Sequence, residues 1–159
     1  MPDYSDADTN LMLLALEEAR LCEQWGDVPV GCVIARDGRL VAGAGNGRER
    51  LNDPTAHAEI LALREAARKL GNYRLTGLTL VVTLEPCAMC AGAISHARIG
   101  RLVFGAEDAK GGAVVNGPRF FDQPTCHSRP LVASGVLAEE SSAMLKAFFR
   151  ERRSKGSEP

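Results

Sequence analysis

The sequence predicts a single α/β domain in which helices are layered on a sheet. Three observations carry this. Stretches with helical spacing of apolar residues alternate with short, wholly apolar runs. Asp37-Gly38, a dipeptide suited to a tight hairpin turn, lies between two such runs. The chain has 159 residues, 45% of them hydrophobic, enough to bury a core without disulfides. No repeat period appears. The domain is expected to cover residues 1–153, with 154–159 (SKGSEP) as a disordered tail.

The elements follow in order. Residues Thr9 to Trp25 place Met12, Leu16, Ala19 and Cys22 on one helical face, with Asp8 or Thr9 as the expected N-cap. Val30–Ala35 and Arg39–Gly43 read as two strands around the Asp37-Gly38 turn. Ala56 to Leu70 returns to helical spacing through Ile60, Leu63 and Ala67 and stops at Gly71. LTLVVTL, from Leu78 to Leu84, is continuously apolar and reads as a buried strand. Cys87 to His96 reads as a helix, RLVFGA as a strand and Leu131–Ala133 as a short strand. Ser141 to Arg153 closes the chain as a helix with Met144, Phe148 and Phe149 inward. Lys110 to Pro130, rich in glycine and proline, is expected to be a long loop.

Bulk composition narrows the function classes. No apolar stretch approaches the length needed to span a bilayer, and the acidic opening MPDYSDADTN lacks the basic and apolar regions of a secretory signal, so a cytoplasmic protein is expected. Five cysteines at irregular spacing make a poor disulfide framework and favour metal binding. The net charge of −1 excludes a strongly basic nucleic-acid binder. The first thirty residues nevertheless hold Asp3, Asp6, Asp8, Glu17, Glu18, Glu23 and Asp27 against Arg20, leaving the remainder net positive and a local RNA-binding patch compatible with the sequence.

Two compact groups carry the chemistry: His57-x-Glu59, and Pro86-Cys87-x-x-Cys90. Cysteines three apart on a helix share a face, so both sulfurs reach one metal, and Pro86 suits the first helical turn. A helix N-terminus favours thiolates and so suits zinc. His57 is the candidate third ligand. It cannot share a site alongside its helix with Glu59, because residues two apart point about 200° away from each other. The site must therefore lie off the end of that helix, and two helix N-termini converge on it. Three ligands leave a tetrahedral zinc one open position, where bound water becomes hydroxide near neutral pH. Glu59 is the candidate proton shuttle.

Histidine, glutamate and paired cysteines in this order form the signature of zinc-dependent deaminases. Beyond it, VPVGCVIARDGRLVAGAGN, DPTAHAEILALREAA, NYRLTGLTLVVTLEPCAMCAGAI, ARIGRLVFGAEDAKGGA and GVLAEESSAMLKAFFRERR make the chain resemble the bacterial tRNA-specific adenosine deaminases of the cytidine/deoxycytidylate deaminase family. The resemblance implies a three-layer α/β/α cytidine-deaminase-like fold around a mixed five-stranded sheet. It implies a homodimer with one Zn2+ per subunit that converts the wobble adenosine of a tRNA anticodon stem-loop to inosine. By the same resemblance His57, Cys87 and Cys90 hold zinc, Glu59 moves the proton and Asn46 helps hold the nucleoside. Backbone at Ala58, Glu85 and Pro86 lines the base pocket, Asp108 and Lys110 lie near flanking nucleotides, and Phe149, Arg150, Arg152 and Arg153 approach the RNA loop.

Val114 to Arg129 departs from the family pattern and adds Cys126 and His127 as further ligating types. Two other readings follow: a deaminase of a free nucleobase or nucleoside, and a structural zinc protein in which Cys126 or His127 closes the coordination sphere. Cys22 and Cys32 are expected to pack in the core.

Overall fold

The computed structural model describes residues 3–155. Its elements are α1 (Asp6–Cys22), β1 (Gly31–Arg36), β2 (Arg39–Gly45), α2 (Arg48–Leu51), α3 (Ala58–Leu70), β3 (Thr79–Leu84), α4 (Ala88–Ala97), β4 (Arg101–Ala106), β5 (Leu131–Ser134) and α5 (Ala138–Lys155). The five strands form one sheet in the order β2-β1-β3-β4-β5. β1 is antiparallel to β2 and β3, while β3, β4 and β5 run parallel.

Strand alternation splits the core in two. Cys32, Ile34, Leu80, Val82, Leu102 and Phe104 face one layer, where Ala58, Ala62 and Leu63 of α3 and Ala91 and Ile94 of α4 cover them. Val33, Ala35, Val81 and Val103 face the other, covered by Leu11, Met12 and Leu16 of α1 and by Met144 of α5. A sheet apolar on both sides must be covered on both sides, which gives the three layers. α1 packs so closely that a Cβ at Gly31 would lie 1.8 Å from the Ala15 carbonyl oxygen. Only glycine fits there.

The turn at Asp37-Gly38 forms as expected, with φ of 51° and 78°, and Gly71 ends α3 in the left-handed conformation. Other boundaries move. α1 starts at Asp6 rather than Thr9, because Ser5 and Asp8 form a reciprocal capping box, and it gives way after Cys22 to a 3-10 turn over Glu23–Trp25. α3 starts at Ala58, two residues later than periodicity suggests. α5 runs from Ala138 to Lys155, so Ser154 and Lys155 of the expected tail are helical, and its last four residues lie outside the described residues. Of the three α5 side chains expected inward, only Phe148 is buried; Phe149 is 44% exposed. Adjacent helical residues lie about 100° apart, and one stripe cannot take both rings.

The sheet's direction places the site. β2 and β3 are each antiparallel to β1, so their carboxyl ends share one edge. The chain leaves β2 for α2 and α3, and leaves β3 for α4. The N-termini of α3 and α4 therefore meet at that edge, where ligands bind open α/β sheets.

Candidate metal centre

His57 is the N-cap residue of α3 and Cys87 that of α4, and Cys90 sits one turn inside α4. Pro86 lies just before the cap rather than in the first turn, because Cys87 keeps an extended backbone. Neither N-cap side chain caps its own helix. Both point instead to the shared space off the helix ends: His57 Nδ1 lies 3.6 Å from each sulfur, and all three ligating atoms lie within 4.8 Å of one another. A zinc about 2.3 Å from sulfur and 2.1 Å from nitrogen at tetrahedral angles needs a sulfur-to-nitrogen distance of about 3.6 Å. The donors fit. Among the described residues no fourth side chain joins the group.

Electrostatics agree with a cation site. The hydrogen bond shared with Cys90, helped by His57, pulls the Cys87 thiol down to about 4, while the same bond and burial raise Cys90. A divalent cation bound between the two sulfurs takes both as thiolates. The hydrogen bond to Cys87 raises His57, against the opposing effect of burial and, less, of the Arg48 charge. Glu59 is 4% exposed, and burial, reinforced by the charge of Cys87, pushes its carboxyl up to about 7.

These groups open on a cavity of about 160 Å³ whose lining includes Asn46, Arg48, His57, Glu59, Glu85 and Cys87. Asn46 is already engaged: its Nδ2 donates to the Val28 carbonyl at 3.0 Å and its Oδ1 accepts from the Ala58 N–H at 2.8 Å. Glu85, assigned for its backbone, contributes its side chain. Its carboxylate accepts the N–H groups of Asp108, Val114, Val115 and Asn116 and the Asn116 amide, all at 2.6 to 3.1 Å. Burial would raise this carboxyl, but those donors hold it below the usual range. The segment leading into the metal ligands thus fixes the loop on the far wall. Asp108 and Lys110 line a groove of about 1240 Å³ that continues from the cavity, and Phe149, Arg150, Arg152 and Arg153 line it too. Arg152 also stacks on Phe148 and donates to the Gly26 carbonyl.

Cys126 and His127 do not close the centre. Cys126 packs on Ser95, 3.3 Å from its Oγ, more than a turn beyond Cys90 on α4, and His127 pairs with His96 at a ring distance of 4.9 Å. Cys22 and Cys32 are fully buried in the core as expected. The sequence did not single out Arg48, Asp27 or Trp25. Asp27 entered only as charge, yet it is wholly buried and takes the Arg48 guanidinium.

The family model described as the cytidine and deoxycytidylate deaminase zinc-binding region matches residues 5–106, which include every ligand above. The chain belongs to that family. His57, Cys87 and Cys90 of this deaminase are positioned to bind one metal ion, zinc. The deaminase is 56% identical over 145 residues to the tRNA-specific adenosine deaminase of Agrobacterium fabrum, covering 91% of this chain and 95% of that protein. A solved structure from work on A-to-I editing by tRNA:A34 deaminases at the wobble position of transfer RNA superposes with a TM-score of 0.85 at 55% identity, covering 86% of this chain and 99% of that one. Guanine deaminase from Bacillus subtilis superposes with a TM-score of 0.60 at 31% identity, covering 89% and 92%. No helix among the described residues is long and apolar enough to cross a membrane.

Proposed function

We propose that this deaminase hydrolyses the wobble adenosine of a tRNA anticodon loop to inosine, releasing ammonia. The reading is carried by one arrangement: three zinc-ligating side chains at two helix N-termini, with a buried glutamate beside them in a base-sized cavity. When bound, zinc lowers the pKa of a coordinated water to about 7 and supplies the nucleophile.

The protein's own groups do the rest. Water adds across C6–N1 of the adenine: Glu59 accepts the first proton that water loses as its oxygen joins C6 and delivers it to N1. Glu59 then moves the remaining hydroxyl proton to the amino nitrogen, so that C6–N breaks, ammonia leaves and C6=O with N1–H remains. A carboxyl raised to about 7 is matched to a shuttle that must both take and give a proton near neutrality. The N-terminal dipoles of α3 and α4 favour negative charge at the reacting centre. Backbone at Ala58, Glu85 and Pro86 forms the pocket wall for the base, and Asn46 holds the Ala58 side of it in place while contacting the nucleoside.

The adjoining groove suits an extended single strand better than a free base. Asp108 and Lys110 lie where flanking nucleotides pass, and Phe149, Arg150, Arg152 and Arg153 offer one stacking face and three positive charges to the loop. The target base must leave any stack to reach the cavity, which an anticodon loop allows and a duplex resists. The working unit is a cytoplasmic homodimer with one Zn2+ per subunit.

Likeness to guanine deaminase supports a second reading, a free-base or free-nucleoside substrate. Incubating the zinc-loaded protein with a matching anticodon stem-loop, free adenosine, cytidine and guanine separates the two. Inosine at the wobble position is the expected product; conversion of a free substrate alone would overturn the tRNA reading.

A further inference from the structure

Arg48 stands at the cavity wall with no part in proton transfer or zinc binding. We propose that it anchors a backbone phosphate of the RNA strand beside the target nucleotide, fixing that strand as the base enters. This rests on the deaminase reading above.

The guanidinium is aimed from behind. Arg48 Nε and Nη2 donate to Asp27 Oδ1 at 3.1 and 2.8 Å. Asp27 is fully buried and also accepts the Val28 and Glu49 N–H groups at 2.8 and 3.1 Å. The Arg48 side chain remains 39% exposed. Five N–H donors less the two given to Asp27 leave three for a ligand. Burying the Asp27 carboxylate carries a desolvation penalty, offset by the donors that hold it. What this ion pair secures is direction.

The surrounding segment is held as firmly. Trp25 Nε1 donates to the Asn46 carbonyl at 2.7 Å, and Arg50 stacks on the Trp25 ring at 4.4 Å. Arg48 is thus preorganised, so little side-chain entropy is lost when it binds. Among the acidic groups of the cavity, Glu85 is spent on its five donors, and Asp108 accepts the Lys110 and Gly111 N–H groups. The planar fork of arginine matches two phosphate oxygens. A free base or nucleoside carries no phosphate for it. Arg48 therefore selects a phosphodiester-linked substrate.

The test uses zinc-loaded protein and an anticodon stem-loop RNA. The double variant Asp27→Asn/Arg48→Gln avoids stranding a buried charge, and Arg48→Lys keeps the charge but loses the fork. Zinc content and thermal melting report folding. KM for the stem-loop is expected to rise tenfold or more in the double variant, by more than kcat falls, with Arg48→Lys intermediate. The slope of log(kcat/KM) against log[salt] is expected to become shallower by about 0.7, the value for one phosphate contact on a single strand. An unchanged KM and salt slope in a folded, zinc-replete variant overturns the proposal. So does an equal loss on free adenosine and on the stem-loop, which marks a role in pocket shape alone. Should the double variant not fold, Arg48→Lys decides by KM for the stem-loop alone, since its retained charge leaves the salt slope as it was: a raised KM is expected, and a parental KM overturns the proposal. A parent protein inactive on the stem-loop refutes the deaminase reading itself, a separate result.

Discussion

Asn46 Oδ1 accepts the Ala58 N–H at 2.8 Å, so a side chain at the end of β2 pins the residue that follows the metal ligand His57. Its other end holds the Val28 carbonyl. The contact joins the sheet edge to the helix that presents the imidazole. Ligand supports of this kind are worth about 10–100-fold in metal affinity or activity. Asn46→Ala is expected to weaken zinc binding on that scale in a chelator competition titration, with Asn46→Asp, which keeps the acceptor, less affected. Parental zinc affinity in Asn46→Ala would show that the contact does not position His57.

Glu59 is buried beside the ligands without joining them. Glu59→Gln keeps the shape and loses the proton, so the variant should bind zinc fully and lose about 10²–10⁴ in turnover. Inosine formation and metal content measured on the same preparation check this. Turnover within a few-fold of the parent removes Glu59 from the mechanism.

Cys90 sits in the first turn of α4, whereas Cys126 comes from the later loop and packs on Ser95 near the far end of that helix, so the two should behave oppositely. Cys90→Ala removes a thiolate from a three-ligand centre and is expected to abolish stoichiometric zinc. Cys126→Ala leaves its hydrogen-bond partner Ser95 and a small void, and zinc stoichiometry should stay at one. Zinc lost on replacing Cys126 would restore the structural-zinc alternative.

Asp8 joins α1 to β4 through Arg101, whose Nη1 and Nη2 reach its two oxygens at 2.5 and 2.6 Å. Burial raises the Asp8 carboxyl, but the Arg101 and Ser5 hydrogen bonds outweigh it and hold the pKa below 3.8. A carboxyl whose folded pKa is depressed stabilises the fold above its unfolded pKa, and that stability is lost as pH falls through the folded value. Melting temperature should therefore drop on acidification below about pH 4. Asp8→Asn should be less stable by about 3 kcal/mol at pH 7 and flatter across the acid range. Parallel pH profiles of the two proteins would remove Asp8 from the acid transition.

The fold was legible wherever one element's pattern sufficed. Alternation between helix and strand, the Asp37-Gly38 turn and the stop at Gly71 are local, and each appears where the pattern placed it. Boundaries set by caps were not, because Ser5 and Asp8 act through a reciprocal bond that apolar spacing does not reveal. The four-residue α2 was missed as too short to show a period.

The sequence by itself determined the chemistry. His57, Glu59, Cys87 and Cys90 were readable because each pair acts at one helix start, where the spacing of two or three residues fixes its geometry. It also required both layers of helix, since a run such as Leu80–Val82 is apolar on both faces. Tertiary structure alone decided which distant groups support the site: Asp27 behind Arg48, Glu85 beneath the loop at 114–116, and Cys126 on Ser95 rather than on the metal. Those partners lie 21 to 31 residues apart. Their meeting depends on the strand order β2-β1-β3-β4-β5, which is fixed by the packing of the whole core and by no short stretch of chain.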